Sequence, residues 1–224
     1  MRMRLQMPSR DSEYVGPQTS RAIAQLLLLA GIVAAVGGVG YAINGATQAP
    51  IVAVPISVEA KDGTTTMGPL PVNVDGVDLP DGGYLQVGDR GLQLMTGPGH
   101  ATRWTGFLAR GDAALLGLGF GACALLLVPV VNAVAVGDPF RRGNAARIGW
   151  TGAIVGVVGM IAPALPHLAA MGVMSSYDTP GGSNPFAVVF GLDIAPIGIA
   201  ALIFVVAEAF RRGTQIAADT AGLV

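Results

Sequence analysis

The chain has 224 residues, of which 52% are hydrophobic and only 12% are charged, whereas soluble domains carry roughly 25% charged residues. This composition excludes an ordinary soluble domain and predicts a membrane protein with most of its length in lipid-facing segments. The formal net charge of -1 excludes a strongly basic body, so we expect no direct nucleic-acid binding.

The first predicted membrane helix lies near the N-terminus, after a polar stretch with scattered arginines. The run from Ala22 to Ile43 contains no charged residue. At about 1.5 Å per residue it is long enough to cross the roughly 30 Å hydrocarbon core of a bilayer. A cleaved signal peptide is the rival interpretation, but its apolar region should be only about 7 to 15 residues long. We therefore predict a retained transmembrane helix.

A β-rich insert is predicted after this helix, because residues 47–110 are rich in Gly, Pro, Asp and Thr and contain short β-type runs. The tetrapeptide Gly88-Asp89-Arg90-Gly91 is typical of a hairpin between two of these runs. So short an insert has little core of its own, and we expect it to rest on the helix ends or the membrane surface. Trp104 and Phe107 are typical of an interfacial aromatic anchor.

Three further apolar runs predict membrane helices. The fold class is therefore an all-α membrane protein: a four-transmembrane-helix bundle with a small β-rich extracytoplasmic insert between helices 1 and 2. Small residues spaced four apart, such as Gly117 and Gly121, favour close helix packing. The predicted segments are a cytoplasmic tail (1–20), helix 1 (21–46), the insert (47–110), helix 2 (111–136), a cytoplasmic loop (137–147), helix 3 (148–174), an outer loop (175–185), helix 4 (186–210) and a cytoplasmic tail (211–224).

The placement of arginines decides the predicted orientation, since cytoplasmic loops and tails carry an excess of Lys and Arg. The loop between helices 3 and 4 has no basic residue. We therefore expect a multi-pass protein of the plasma membrane, with both termini in the cytoplasm and the insert outside. The arginines on the predicted cytoplasmic side are Arg2, Arg4, Arg10, Arg21, Arg141, Arg142, Arg147, Arg211 and Arg212.

Two ionisable residues lie inside the predicted helices, His167 in helix 3 and Asp193 in helix 4. If both helices are continuous, each residue lies about 10 to 12 Å below the outer surface, and the two can meet. Ionisable residues at such depth are costly and are by default functional candidates. Two interpretations stay open: a hydrogen-bonded clasp between the helices, and a proton- or ligand-responsive site.

Prolines interrupt three of the predicted helices, at Pro129, Pro163, Pro166 and Pro196. Proline lacks the N–H that closes an intrahelical hydrogen bond, so we expect kinks with a freed carbonyl one turn earlier. Prolines that are tolerated and serve only packing are the alternative.

No motif for catalysis, a metal or a cofactor is present. The two histidines stand far apart in the sequence, and we find no nucleophile elbow, phosphate-binding loop or dinucleotide fingerprint. The single cysteine, Cys123, lies in an apolar run and has no intramolecular disulfide partner. We therefore predict a protein that is not an enzyme and that needs no cofactor.

Two short motifs containing Phe-Arg-Arg-Gly lie at helix ends on the predicted cytoplasmic side. The basic loop motif comprises Asp138, Pro139, Phe140, Arg141, Arg142, Asn144, Arg147 and Trp150, and the C-terminal motif comprises Glu208, Phe210, Arg211, Arg212 and Gly213. In the C-terminal motif, Glu208 is predicted to form an interfacial ion pair with the arginines, one that contributes little energy.

With these motifs the chain resembles, over roughly residues 20–215, the bacterial domain-of-unknown-function family 2975, whose members are four-helix integral membrane proteins. It departs from the family pattern between Asn144 and Gly149, where part of a basic run is missing. Members of the family are often encoded beside a small helix-turn-helix regulator. The resemblance therefore implies a membrane partner of a transcription factor, with no assigned activity.

We thus predict a non-enzymatic signalling, regulatory or accessory membrane component. Its insert would sense or bind outside the cell, and its arginine-bearing loop would contact a cytoplasmic partner. The alternative is a small transporter or channel subunit that uses the pair His167 and Asp193. Four helices are few for a transporter monomer, so this alternative requires a homo-oligomer.

Overall fold

Helices dominate the computed structural model of the protein, which describes residues 17–47, 52–58, 83–88, 91–97, 99–177, 186–188 and 193–221. The predicted N-terminal tail with Arg2, Arg4 and Arg10, and most of the predicted outer loop, lie outside these residues. In the described ranges the helices are α1 (Pro17–Thr47), α2 (Arg103–Ala109), α3 (Gly111–Ala135), α4 (Asn144–Ile161), α5 (Ala164–Tyr177) and α6 (Ala195–Ala221), and the strands are β1 (Ala53–Pro55), β2 (Ser57–Val58), β3 (Tyr84–Gly88), β4 (Gly91–Met95) and β5 (Phe186–Ala187).

Three helical stretches of the described chain are long and apolar enough to cross a membrane: residues 18–47, 111–135 and 144–176. Large apolar side chains point outward from them, including Leu26 and Val36 of α1 and Leu125 of α3, each more than half exposed. Outward apolar side chains suit lipid rather than water. These three candidate spans confirm the prediction of a multi-pass membrane protein. The predicted helices 1 and 2 correspond to α1 and α3, whose ends lie within about a turn of the predicted bounds.

Small residues bring α1 and α3 into close contact. A Cβ at Gly31 would lie 2.6 Å from the Cβ of Ala124 and 3.3 Å from the Cα of Gly121. A Cβ at Gly38 would overlap the Ala113 carbonyl. Because no larger side chain fits at these positions, the helix backbones touch along the faces that small residues predicted.

The long helices contact one another mainly as a row in the order α1, α3, α4, α6, rather than as the compact four-helix bundle that we predicted. Between α3 and α4, a Cβ at Gly119 would meet the Val158 side chain at 3.0 Å. Between α4 and α6, a Cβ at Gly152 would lie 3.3 Å from the Ala200 carbonyl oxygen. Each contact in the row therefore includes a glycine.

The predicted helix 3 is two helices, because α4 ends at Ile161 and α5 begins at Ala164. Pro163 lies between them, and proline has no N–H to continue the hydrogen-bond ladder. After the break, α5 packs chiefly against α2 and β1 instead of continuing the row. The interruption at Pro163 agrees with the predicted kink there, and residues 144–176 still form one helical stretch long and apolar enough to cross a membrane.

The insert forms a small sheet of order β1-β4-β3, with both pairings antiparallel. Gly88 pairs with Gly91, which confirms the predicted hairpin. Val54 and Leu94 of the sheet are fully buried together with Val173 of α5. The insert thus rests on a helix end, as predicted, and α5 supplies the apolar surface that the insert lacks.

The predicted helix 4 starts later and ends later than expected, as α6 runs from Ala195 to Ala221. Residues 186–187 instead form β5, which pairs with β2 of the insert. The apolar part of α6 before Glu208 covers residues 195–207, or roughly 20 Å at 1.5 Å per residue. This stretch is shorter than a hydrocarbon core of about 30 Å, so length and composition alone identify three spans within the residues that the structure describes.

Candidate functional site

The two sequence motifs meet at one end of the helix row. Phe140 packs against Phe210, with ring centroids 5.7 Å apart and ring planes tilted by 55°. Gly213 makes room for this contact, since a Cβ at that position would overlap the Phe140 ring. We name the touching residues 138–150 and 207–213 the motif junction, and it is the candidate functional site.

Asn144 holds the basic loop in position. Its side chain is fully buried, its Nδ2 donates to the Pro139 carbonyl oxygen at 3.0 Å, and its Oδ1 accepts from Arg147 Nη1 at 3.3 Å. A buried amide bonded at both ends is costly to replace, because its partners would lose their hydrogen bonds away from water. The loop conformation therefore depends on this residue.

Two glycines set the ends of the loop. Gly137 has φ +77° and Gly143 has φ +96°, in the left-handed region that glycine adopts without steric cost. At the first of them the amide of Asp138 donates to the Ala133 carbonyl oxygen at 3.0 Å, which closes the C-terminus of α3. The chain thus turns sharply from α3 into α4, and Arg142 lies exposed on the turn.

Charge is distributed unevenly over the motif junction. Glu208 accepts from Arg211 Nε at 2.6 Å and from Arg212 Nε at 2.8 Å, which confirms the predicted ion pair. Hydrogen bonds from Arg211 and then Arg212 lower the pKa of Glu208 to about 2. In the described part of the chain no such carboxylate bonds Arg141 or Arg142, so these two exposed guanidiniums are the ones available to a partner.

His167 and Asp193 each bond within their own segment. His167 Nδ1 donates to the Pro163 carbonyl oxygen at 2.8 Å, and Asp193 Oδ1 accepts from the backbone N–H of Ala195 at 2.9 Å. No hydrogen bond or ion pair joins His167 to Asp193 among the residues that the structure describes. Asp193 instead caps the start of α6, a common role for aspartate.

The prolines differ in their effects. Pro129 lies inside α3, and Pro163 lies in the break between α4 and α5. Pro166 and Pro196 lie in the first turns of α5 and α6. The first N–H groups of a helix have no intrahelical partner, so proline there costs no hydrogen bond. Neither proline therefore lies in the interior of a helix, and the interruption seen in this region lies at residues 162–163, just before Pro166.

Sequence reasoning missed a buried acid at the opposite end of the row. Asp112 is only 6% exposed in the first turn of α3. The sequence feature that could have indicated Asp112 is an acidic residue at the start of an apolar run, where the helix dipole favours negative charge. Nearby, the Arg110 guanidinium carbon lies 4.8 Å from the centre of the Tyr41 ring.

Within the described ranges, no group of three or more His, Cys, Asp or Glu residues is placed to hold a metal ion.

The fold and site define a multi-pass membrane protein with a small sheet at one end and a structured basic loop at the other. No protein-family model, curated protein or solved structure matches the chain. The resemblance to family 2975 therefore stays a prediction.

Proposed function

We propose that the protein is a non-enzymatic, four-crossing component of the plasma membrane that docks a cytoplasmic partner on the motif junction. The proposed role is signalling, regulatory or accessory. The single observation that carries it is the basic loop, in which buried and bonded groups present two arginines to the surroundings.

The contact between α6 and α4 supports a fourth crossing. A Cβ at Gly159, near the end of α4, would meet Pro196 in the first turn of α6 at 2.5 Å. Near the start of α4, Gly149 faces Ala207 in the same way, at 3.9 Å. The two helices thus run antiparallel between these two contacts, over residues 149–159 of α4 or about 15 Å. If α4 crosses the bilayer, α6 crosses beside it.

The distribution of basic residues supports the proposed orientation, with both termini in the cytoplasm. Arg21 shares a groove with Asn132 and so lies at the same end of the row as the motif junction. The arginines of both motifs lie there too, whereas Arg103 and Arg110 lie at the end that carries the sheet. By the positive-inside rule the motif end faces the cytoplasm.

The chemistry of the loop favours an acidic partner surface. Guanidinium groups bind carboxylates through paired, charge-assisted hydrogen bonds. Because Asn144 and Phe140 already hold the backbone, little ordering is required when a partner binds Arg141 and Arg142. The small helix-turn-helix regulator implied by the resemblance is the proposed partner.

The transporter or channel alternative has less support. It depended on His167 and Asp193 meeting inside the bilayer, and in the described residues each bonds its own segment. The break at Pro163 is a helix interruption of the kind that transporters use. Without a joined ionisable pair, however, docking has the better structural basis.

The test is crosslinking in cells followed by purification of the full-length protein and quantitative mass spectrometry. We expect an acidic cytoplasmic protein to be recovered with the wild type and to fall about tenfold with Arg141→Glu/Arg142→Glu, because reversed charges repel the partner. Arg103→Glu, an exposed arginine at the opposite end, is the matched control and should change nothing. Equal recovery with all three proteins would refute the docking proposal.

A further inference from the structure

A groove opens between α1 and α3 at the same end as the motif junction. Its volume is about 410 Å³, and its polar lining consists of Arg21 and Gln25 from α1 and Asn132 from α3. The rest of the lining is apolar and includes Leu28 and Val128. None of these residues belongs to the basic loop, so the groove is a separate feature.

The groove lies beside the small-residue contact between α1 and α3. Gly31 of α1 touches Ala124 and Gly121 of α3. One turn further on, Leu28 and Val128 face the space between the helices and line the groove. The groove therefore continues the α1–α3 interface toward its end.

The polar side chains Arg21 and Asn132 lie at one end of the groove, beside Ala135 and Val136, and apolar side chains alone line the other end. Arg21 and Asn132 lie within about a turn of the ends of α1 and α3. Leu28 is seven residues deeper along α1 than Arg21, or about 10 Å at 1.5 Å per residue. If α1 crosses the bilayer, the polar end lies at headgroup depth and the apolar end at acyl-chain depth.

We infer that this groove binds one anionic phospholipid from the cytoplasmic leaflet. Arg21 is the only charged residue that lines it, and no carboxylate bonds Arg21 in the described part of the chain. Gln25 and Asn132 add amide donors for phosphate oxygens, while Leu28 and Val128 contact the upper acyl chain. The inference rests on the proposed crossing and orientation but not on partner docking.

The test measures lipid binding to the purified full-length protein in detergent by native mass spectrometry. The probes are phosphatidylglycerol, phosphatidylcholine with the same acyl chains, and free glycerol phosphate. We expect the wild type to bind one phosphatidylglycerol about fivefold more tightly than phosphatidylcholine, the effect of one arginine near an anionic headgroup. Free glycerol phosphate should not displace the lipid, because it lacks the acyl chains.

Three variants distinguish lipid binding in the groove from general attraction of the lipid to surface charge. Arg21→Gln should lose the preference for phosphatidylglycerol, and Ala135→Phe should fill the groove and lose binding of both lipids without any change in charge. Arg103→Gln removes an arginine at the other end and should behave as the wild type.

Equal binding of both lipids by the wild type, or equal losses with Arg21→Gln and Arg103→Gln, would overturn the inference. Displacement by glycerol phosphate would instead identify a site for free phosphate. Partner recovery in the crosslinking experiment is independent of every one of these outcomes.

Discussion

Replacing Gly38 with alanine should loosen the contact between α1 and α3, whereas the same change at Gly37 should not. A Cβ at Gly38 would overlap the Ala113 carbonyl and lie 3.3 Å from the Cα of Ala114, and these are backbone atoms that cannot rotate away. A Cβ at Gly37 meets nothing within 4 Å. Both glycines lie inside α1, so the change in helix propensity is the same for both and cancels.

Two opposing effects set the change in stability of Gly38→Ala relative to the wild type. Replacing glycine by alanine in a helix interior stabilises by up to about 1 kcal/mol through helix propensity, while overpacking a close contact destabilises by about 1–3 kcal/mol. At Gly38 the helices must separate, which also lengthens the neighbouring contacts at Gly31 and Gly117. Because the propensity gain cancels between the two variants, we expect Gly38→Ala to be less stable than Gly37→Ala by the overpacking cost of about 1–3 kcal/mol, or about 2–12 °C in Tm for a chain of this length.

The assay is thermal unfolding of both variants and the wild type in one detergent, followed by the fluorescence of Trp104 and Trp150. Gly37→Ala should melt at or slightly above the wild-type temperature, and Gly38→Ala clearly below it. Equal melting temperatures for the two variants would refute packing of α1 on α3 through small residues.

Helix capping, loop anchoring and ionisation give three further tests. Asp193→Ala should lose about 1 kcal/mol of stability, while Asp193→Asn should keep the cap. In the double variant, the losses of Asp193→Ala and His167→Ala should add within about 0.5 kcal/mol. A larger coupling energy would show that the two side chains interact. Asn144→Ala should cost about 1–3 kcal/mol, visible as a lower Tm, and an unchanged Tm would contradict its anchoring role. Glu208 contributes stability above its unfolded pKa of about 4.3, and this is lost as pH falls toward 2. Melting at pH 7, 4 and 3 should thus show a weaker acid dependence for Glu208→Gln, and an identical dependence would contradict the ion pair.

Hydropathy predicted the bounds of helices that polar residues flank, but not the bounds of helices that apolar residues flank. The charge-free run of α1 and the bounds of α3 could be read directly, since polar residues flank both. Pro163 indicated the interruption of the third helix, but the packing of α5 on the sheet could not be read, because Ala169 and Val173 are apolar whether lipid or the sheet covers them. They are buried against Val54 and Leu94, a contact between distant parts of the chain.

Part of the candidate site could also be predicted. The sequence paired Glu208 with the neighbouring arginines, as found, and it predicted both motifs on one side of the membrane, which agrees with their meeting at one end of the helix row. The packing of Phe140 on Phe210 depends on how α6 lies beside α4, which no local pattern reveals. The predicted meeting of His167 and Asp193 assumed two continuous helices, and the break after α4 and the late start of α6 remove that assumption.

The central claim is that four helices cross the membrane and place the motif junction in the cytoplasm. Single cysteines in a Cys123→Ala background test it through a membrane-impermeant thiol reagent applied to intact cells. We predict labelling at Ser176, and labelling at Arg142 and Gln215 only after permeabilisation. Labelling of Gln215 in intact cells would contradict the fourth crossing, and labelling of Arg142 in intact cells would contradict the orientation itself.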